Sequence, residues 1–163
     1  MPLLTIQVNR REYKVEVEAT TSLLTVLREH LHITSPKVGC ETGDCGACSV
    51  LVDGRLRRAC LTNALSVQGA KVTTVEGLGE PGDLHPVQKQ FYENFASQCG
   101  YCTPGMIMAT KALLDRNPRP TEKEIKEALS GNLCRCTGYV NIIKAVRAAA
   151  EQMARCGGVE NEP

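Results

Sequence analysis

The spacing of apolar and polar residues changes once along the chain, from every second position to helical intervals. Near the start, Thr5-Ile6-Gln7-Val8 and Tyr13-Lys14-Val15-Glu16-Val17 alternate around Asn9-Arg10. That is the pattern of a β-hairpin with one buried face. Thr20-Thr21-Ser22 offers N-cap hydroxyls for a helix starting near Leu23. Leu23, Leu27 and Leu31 fall on one face of it, with Leu24 close by. After a cysteine-bearing loop from Val38 to Cys48, Ser49-Val50-Leu51-Val52 reads as a strand. Asp53-Gly54 turns it back through Arg55 towards Cys60, and Val72-Thr73-Thr74-Val75 is a last short strand. Strands flanking a helix and a loop of this kind predict a β-grasp, ferredoxin-like domain over residues 1–77.

The stretch Gly77-Leu78-Gly79-Glu80-Pro81-Gly82-Asp83 has linker composition, and the helical period begins beyond it. His85-Pro86 starts a helix with Val87, Phe91 and Phe95 on one stripe. Pro104 starts a second, running to about Asp115, which Asn117-Pro118-Arg119-Pro120 stops. Thr121 and Glu124 form a capping box for a third helix ending near Leu129. Thr137-Gly138 leads into a fourth, with Val140, Ile143, Val146, Ala150 and Met153 at helical intervals. Residues 84–156 therefore read as an all-α four-helix bundle, and 157–163 as a flexible tail. The expected class is α+β, two small domains in one chain.

Composition narrows the function. Among 163 residues, 19 Lys and Arg balance 18 Asp and Glu, which leaves no basic footprint for nucleic acid or an anionic membrane. No apolar stretch is long enough to span a bilayer, and Met1-Pro2-Leu3-Leu4-Thr5 lacks the features of a signal peptide. A cytoplasmic protein is expected. With no Trp and 4% aromatic residues the cores are aliphatic and small, a setting in which a bound metal adds useful stability. Nine cysteines in a reducing compartment point to metal ligation rather than disulfides.

Eight of those cysteines fall into two sets. Cys40, Cys45 and Cys48, spaced x4 and x2, with Cys60 further on, have the plant-type [2Fe–2S] spacing. Two irons bridged by two sulfides need four thiolates from a tightly curled loop. Gly39, Gly43 and Gly46 let the backbone come close. Zinc is the alternative, but zinc sites usually pair two short CxxC units, whereas here one ligand pair is spaced by four and the loop is dense in glycine. The second set is Cys99, Cys102, Cys134 and Cys136. Cys99-Gly-Tyr-Cys102 stands just before a helix N-terminus, where the macrodipole favours thiolates. By spacing alone this set admits a cluster, a zinc site or a redox dithiol; the last expects a surrounding βαβ pattern.

The flanks of these motifs are more specific. Cys40-Glu-Thr-Gly-Asp-Cys-Gly-Ala-Cys48, Gln98-Cys-Gly-Tyr-Cys-Thr-Pro-Gly105 and Gly131-Asn-Leu-Cys-Arg-Cys-Thr-Gly-Tyr139 occur in that order. Together they resemble the small iron–sulfur subunit of the xanthine dehydrogenase/aldehyde oxidase family of molybdenum hydroxylases, over nearly the whole chain. The resemblance implies two [2Fe–2S] clusters. It implies a large partner subunit carrying molybdopterin and a medium one carrying FAD, assembled as a dimer of heterotrimers. It implies that Gln98 and Cys136 contact the pterin. Electrons would pass from molybdenum to the Cys99–Cys136 cluster, then to the Cys40–Cys60 cluster, then to FAD, with no catalytic residue on this chain.

Other candidates have plainer readings. Arg135, between two ligands, suits a cofactor or interface contact, or a solvated loop position. Cys156 reads as a free thiol, and His30, His32 and His85 as surface or capping groups. Met106-Ile107-Met108 exceeds one helix face, and the excess suits a subunit contact. Two other functions fit part of the pattern: a free ferredoxin, which the helical half and the neutral charge disfavour, and a zinc-dependent interaction module.

Overall fold

The computed structural model describes residues 1–156; the expected tail at 157–163 and the Cys156 side chain lie outside the described residues. The chain runs β1 (Leu3–Val8), β2 (Arg11–Glu16), α1 (Leu23–Thr25), β3 (Ser49–Val52), β4 (Arg55–Arg58) and β5 (Lys71–Thr73). Four helices follow: α2 (Pro86–Glu93), α3 (Thr103–Arg116), α4 (Glu122–Leu129) and α5 (Val140–Cys156). Among the described residues no helix is long and apolar enough to cross a membrane.

The strands form one sheet in the order β2-β1-β5-β3-β4. β1 pairs parallel with β5, and the other pairings are antiparallel. Alternation in β1 sends Leu4, Ile6 and Val8 into the core. The β1–β2 turn places Asn9 and Arg10 at φ 48° and 71°, and the Asn9 side chain ties it to the backbone and hydroxyl of Thr74 at 2.9 and 2.8 Å. Ser22 caps α1 as expected, accepting from the Thr25 amide. The helix then widens into a π-helical turn at Val26–His30, so Val26 joins Leu23 and Leu27 in the core.

β3 is buried at every position. One face meets the sheet core, and α3 packs against β3 and β4 on the other. This placement also explains α3. Met106, Ile107 and Met108 are all buried, because the helix lies between the sheet and the helical core. The apolar excess that suited a subunit contact is consumed inside the chain.

Two further expectations shift. Phe95 is not on the α2 stripe. The helix ends at Glu93, Phe95 enters the left-handed region at φ 52°, and the ring turns out to 78% exposure, while Ala96 takes the inward place. In α5 Val146 and Ala150 of the expected series are buried and Ile143 and Met153 pack half-buried on the core, but Val140 is 59% exposed, and Ile142, Ala145 and Ala149 complete the buried face. Tyr139, left-handed at φ 68°, stands immediately before that helix. The capping box at Thr121 and Glu124 forms as expected.

One core draws on residues from Leu4 to Val72, the other on residues from Val87 to Ala150. Leu56, Val75 and Leu78 pack against the second core from the sheet side. The two units therefore meet along a seam, and the cysteine loops lie on either side of it.

Candidate metal centres

The first loop curls so that amides point at sulfur. The N–H groups of Cys45 and Thr42 donate to Cys40 Sγ at 3.3 and 3.4 Å. Together with the Thr42 hydroxyl, they hold the Cys40 thiol at about 6, far below the ordinary thiol range. Burial pushes Cys60 up to about 11, reinforced by the facing Cys48 thiol, while the Gly43 amide pulls the other way. Cys60 also feels the charge of Cys40, so the set closes through the return from β4. A Cβ on Gly39 would stand 2.5 Å from Cys45 Sγ, and Gly43, with Leu61 lying over it, takes φ +88°, a conformation that favours glycine.

The second set forms where two helix junctions meet. Cys102 lies immediately before α3, and Cys134 and Cys136 lie between α4 and α5. Cys136 Sγ lies 3.5 Å from Cys99 Sγ, and Cys134 faces Cys102. Burial, with Cys134 next, pushes Cys102 up to about 12. Cys99 is lowered by the Tyr101 amide and by Cys136. Burial raises Cys134, but the Thr137 hydroxyl and amide, at 3.1 and 3.4 Å from its sulfur, outweigh this and bring it below the ordinary thiol value. Tyr139 folds back over the loop. Its hydroxyl accepts from the Cys134 amide at 2.9 Å, and its own amide donates to Thr137 Oγ1 at 3.1 Å.

All eight thiols are free. Among the described residues no three His, Cys, Asp or Glu side chains close on one point as a single ion requires. The cysteines instead meet in pairs, Cys40 with Cys45, Cys48 with Cys60, Cys99 with Cys136 and Cys102 with Cys134. Two irons, each taking two thiolates, need that pairwise arrangement. N–H donors aimed at sulfur and glycines that bring the backbone close to it suit the anionic, bulky core of a [2Fe–2S] cluster.

The loops face one another. The Leu133 amide donates to the Cys45 carbonyl at 2.9 Å, and the Tyr101 hydroxyl donates to the Val38 carbonyl. Gln98 is exposed beside Cys99, and Arg135 is exposed between Cys134 and Cys136. His85 caps α2, with Nδ1 accepting from the Val87 amide. Tyr101, Tyr139 and Asn132 stand out in the sequence only as parts of motifs. Arg58 does not stand out at all, because Arg55-Leu56-Arg57-Arg58 carries the alternation of an exposed edge strand.

A β-grasp unit and a helical unit, each presenting four thiols in this way, define a two-cluster iron–sulfur protein. A family described as "2Fe-2S iron-sulfur cluster binding domain" matches residues 6–71, and one described as "[2Fe-2S] binding domain" matches residues 74–147. The small subunit of nicotine 6-hydroxylase from Paenarthrobacter nicotinovorans is 46% identical over 94% of this chain and 92% of its own length. The aldehyde oxidoreductase iron-sulfur-binding subunit of Escherichia coli K12 is 45% identical over 94% of this chain and 73% of its own length. In the crystal structure of quinoline 2-oxidoreductase from Pseudomonas putida 86, a chain 41% identical superposes with TM-score 0.90 over 94% of this chain and 96% of that one. The chain belongs to the small [2Fe–2S] subunits of the xanthine dehydrogenase/aldehyde oxidase family of molybdenum hydroxylases. It is the electron-transfer component of an oxidoreductase of that kind.

Proposed function

We propose that this chain carries electrons from a molybdopterin centre on a large partner subunit to FAD on a medium one. The ligands are Cys99, Cys102, Cys134 and Cys136 at the molybdenum side, and Cys40, Cys45, Cys48 and Cys60 at the flavin side. Each [2Fe–2S] cluster, when bound, accepts and releases one electron. What this chain's residues supply is spacing, hydrogen bonding and exposure.

The observation that carries the reading is the hydrogen bond between the Leu133 amide and the Cys45 carbonyl. It joins a residue next to one ligand directly to another ligand, so a short backbone route links the two sites. Exposure supports the direction. Cys99 and Cys136 are the two exposed ligands, their sulfurs touch, and Gln98 stands beside Cys99. One cofactor placed there meets both Gln98 and Cys136, the pair that the resemblance assigns to the pterin. On the other side, exposed Leu61 packs over Gly43 of the first loop and offers an apolar surface next to Cys60.

The two hydrophobic cores support a division into domains at 1–77 and 84–156. A cytoplasmic setting belongs to the same proposal, since a reducing compartment keeps the eight ligands as thiols available to the clusters. The complete assembly is a dimer of heterotrimers. The test is purification of the tagged chain from its native host. The expected result is co-elution with a large and a medium subunit, carrying molybdenum, flavin, and iron with equal acid-labile sulfide, plus two distinct EPR signals on reduction. A lone monomer retaining both clusters would identify a free electron carrier instead. A colourless protein with stoichiometric zinc would overturn electron transfer altogether.

A further inference from the structure

Between the two cysteine loops lies a polar network that contains none of the ligands. Arg58 ends β4, two residues before Cys60. Its Nη1 donates to Ser49 Oγ at 2.8 Å, and its Nη2 donates to the Gly131 carbonyl at 2.7 Å. Ser49 directly follows Cys48, and Gly131 stands shortly before Cys134. The guanidinium thus bridges one cysteine loop to the other.

The surroundings leave it little freedom. Asn132, 2% exposed, donates from Nδ2 to the Gly46 carbonyl at 3.0 Å and to Ser49 Oγ at 3.2 Å. Ser49 Oγ donates in turn to Gly46 O at 2.6 Å. A hydroxyl has one proton and two lone pairs, and Ser49 uses all three. A Cβ on Gly131 would lie 2.3 Å from Arg58 Nη2, so the guanidinium packs directly on that backbone. Among the described residues no carboxylate pairs with Arg58. Its full charge is therefore held between the two loops with no carboxylate to neutralise it.

We propose that Arg58 is a positioning and tuning residue shared by both cluster sites. Its charge favours the reduced, more negative state at each site, and its two hydrogen bonds hold the loops at a fixed separation. The inference rests on the reading of both loops as [2Fe–2S] sites. A unit charge on the order of 10 Å away, at an effective dielectric of about 20, changes a one-electron equilibrium by about tenfold. That corresponds to about 59 mV. A neutral side chain in place of Arg58 lowers both midpoints. A lysine keeps the charge but not the planar fork that reaches two acceptors at once.

The test compares Arg58→Gln, Arg58→Lys and Ser49→Ala in the full chain within its native assembly. Redox titration followed by EPR gives the midpoint of each site. Low-temperature EPR of the fully reduced protein gives the magnetic interaction between the sites, which depends on their separation. Arg58→Gln is expected to make reduction about tenfold less favourable at both sites and to change the magnetic interaction. Arg58→Lys and Ser49→Ala are expected to hold both midpoints within about threefold in equilibrium constant while changing the interaction. Unchanged midpoints in Arg58→Gln, or a shift confined to one site, overturn the shared role. If Arg58→Gln does not assemble, Ser49→Ala decides: an unchanged magnetic interaction overturns the proposal. Fewer than two [2Fe–2S] signals in the unsubstituted protein would refute the electron-transfer reading itself, an outcome distinct from any of these.

Discussion

Gly46→Ala probes the seam that places one cysteine loop against the other. Gly46 lies between Cys45 and Cys48 at φ +73°, and a Cβ there would come within 2.3 Å of the Gly131 carbonyl oxygen and 2.7 Å of the Asn132 side-chain amide. The left-handed backbone alone costs an alanine about 1–2 kcal/mol. The clash is with backbone across the seam, so the two loops must separate. Three hydrogen bonds cross the same place: Leu133 N–H to Cys45 O at 2.9 Å, Asn132 Nδ2 to Gly46 O at 3.0 Å and Arg58 Nη2 to Gly131 O at 2.7 Å. At about 1 kcal/mol net each, losing two or three of them adds about 2–3 kcal/mol. Gly69→Ala is the matched control, since Gly69 has the same φ of +73° and nothing within 4 Å of its Cβ position. It carries the backbone cost alone. For a protein of this size, the extra 2–3 kcal/mol corresponds to about 5–10 °C in melting temperature. The assay is thermal unfolding followed by circular dichroism, with bleaching of the visible cluster absorption recorded alongside. A Gly46→Ala protein melting within about 2 °C of Gly69→Ala would refute the argument that the seam is closed to a methyl group.

Three other expectations are open to direct measurement. Cys45→Ser should abolish one of the two EPR signals and leave the other at full intensity; loss of both in a folded protein would contradict two separate sites. In α5, Ile142→Ala should cost about 2–4 kcal/mol as a core truncation, whereas Val140→Ala should stay within about 0.5 kcal/mol, and the reverse order in urea titrations would restore the stripe read from the sequence. Burial raises the Glu76 carboxyl, but hydrogen bonds from the Ser35 and Thr74 hydroxyls and the Ser35 amide outweigh it and hold it below the ordinary carboxylate value. Its folded pKa lies below its unfolded one, so this contribution is complete above the ordinary Glu range and disappears as pH falls through the folded value. Glu76→Gln should therefore lower stability by about 1 kcal/mol at neutral pH, discounted for its partial exposure, and should flatten the acid side of the stability profile below about pH 4.5; an unchanged profile would remove Glu76 from the account.

The sequence by itself carried the chemistry and most of the local structure. Ligand spacing is a covalent property of the chain, and a [2Fe–2S] core imposes it within a few consecutive residues, so Cys40, Cys45 and Cys48 are recognisable in one dimension. Strand alternation around Asn9-Arg10 and the capping box at Thr121 are equally local, and both form where the pattern places them. The second cysteine set, with two pairs far apart in the chain, remained open to a cluster, a zinc site or a redox dithiol by spacing alone. Its flanking residues narrowed the choice, and in the fold the pairs Cys99 with Cys136 and Cys102 with Cys134 come together.

Only the tertiary structure decided matters that depend on what packs against what. Met106, Ile107 and Met108 looked like a surplus for a partner until α3 was seen to lie between the sheet and the helical core. The stripes in α2 and α5 lost their end members: α2 stops at Glu93 and Phe95 turns outward in a left-handed conformation, and Val140 lies exposed at the first turn of α5, because periodicity does not register where a helix begins or ends. Arg58 is the sharpest case. On the strand it is one arginine in an exposed-looking run, but across the seam its guanidinium reaches Ser49 and Gly131. That contact joins residues 73 positions apart, and a long-range hydrogen bond to a backbone carbonyl leaves no mark in the sequence at either end.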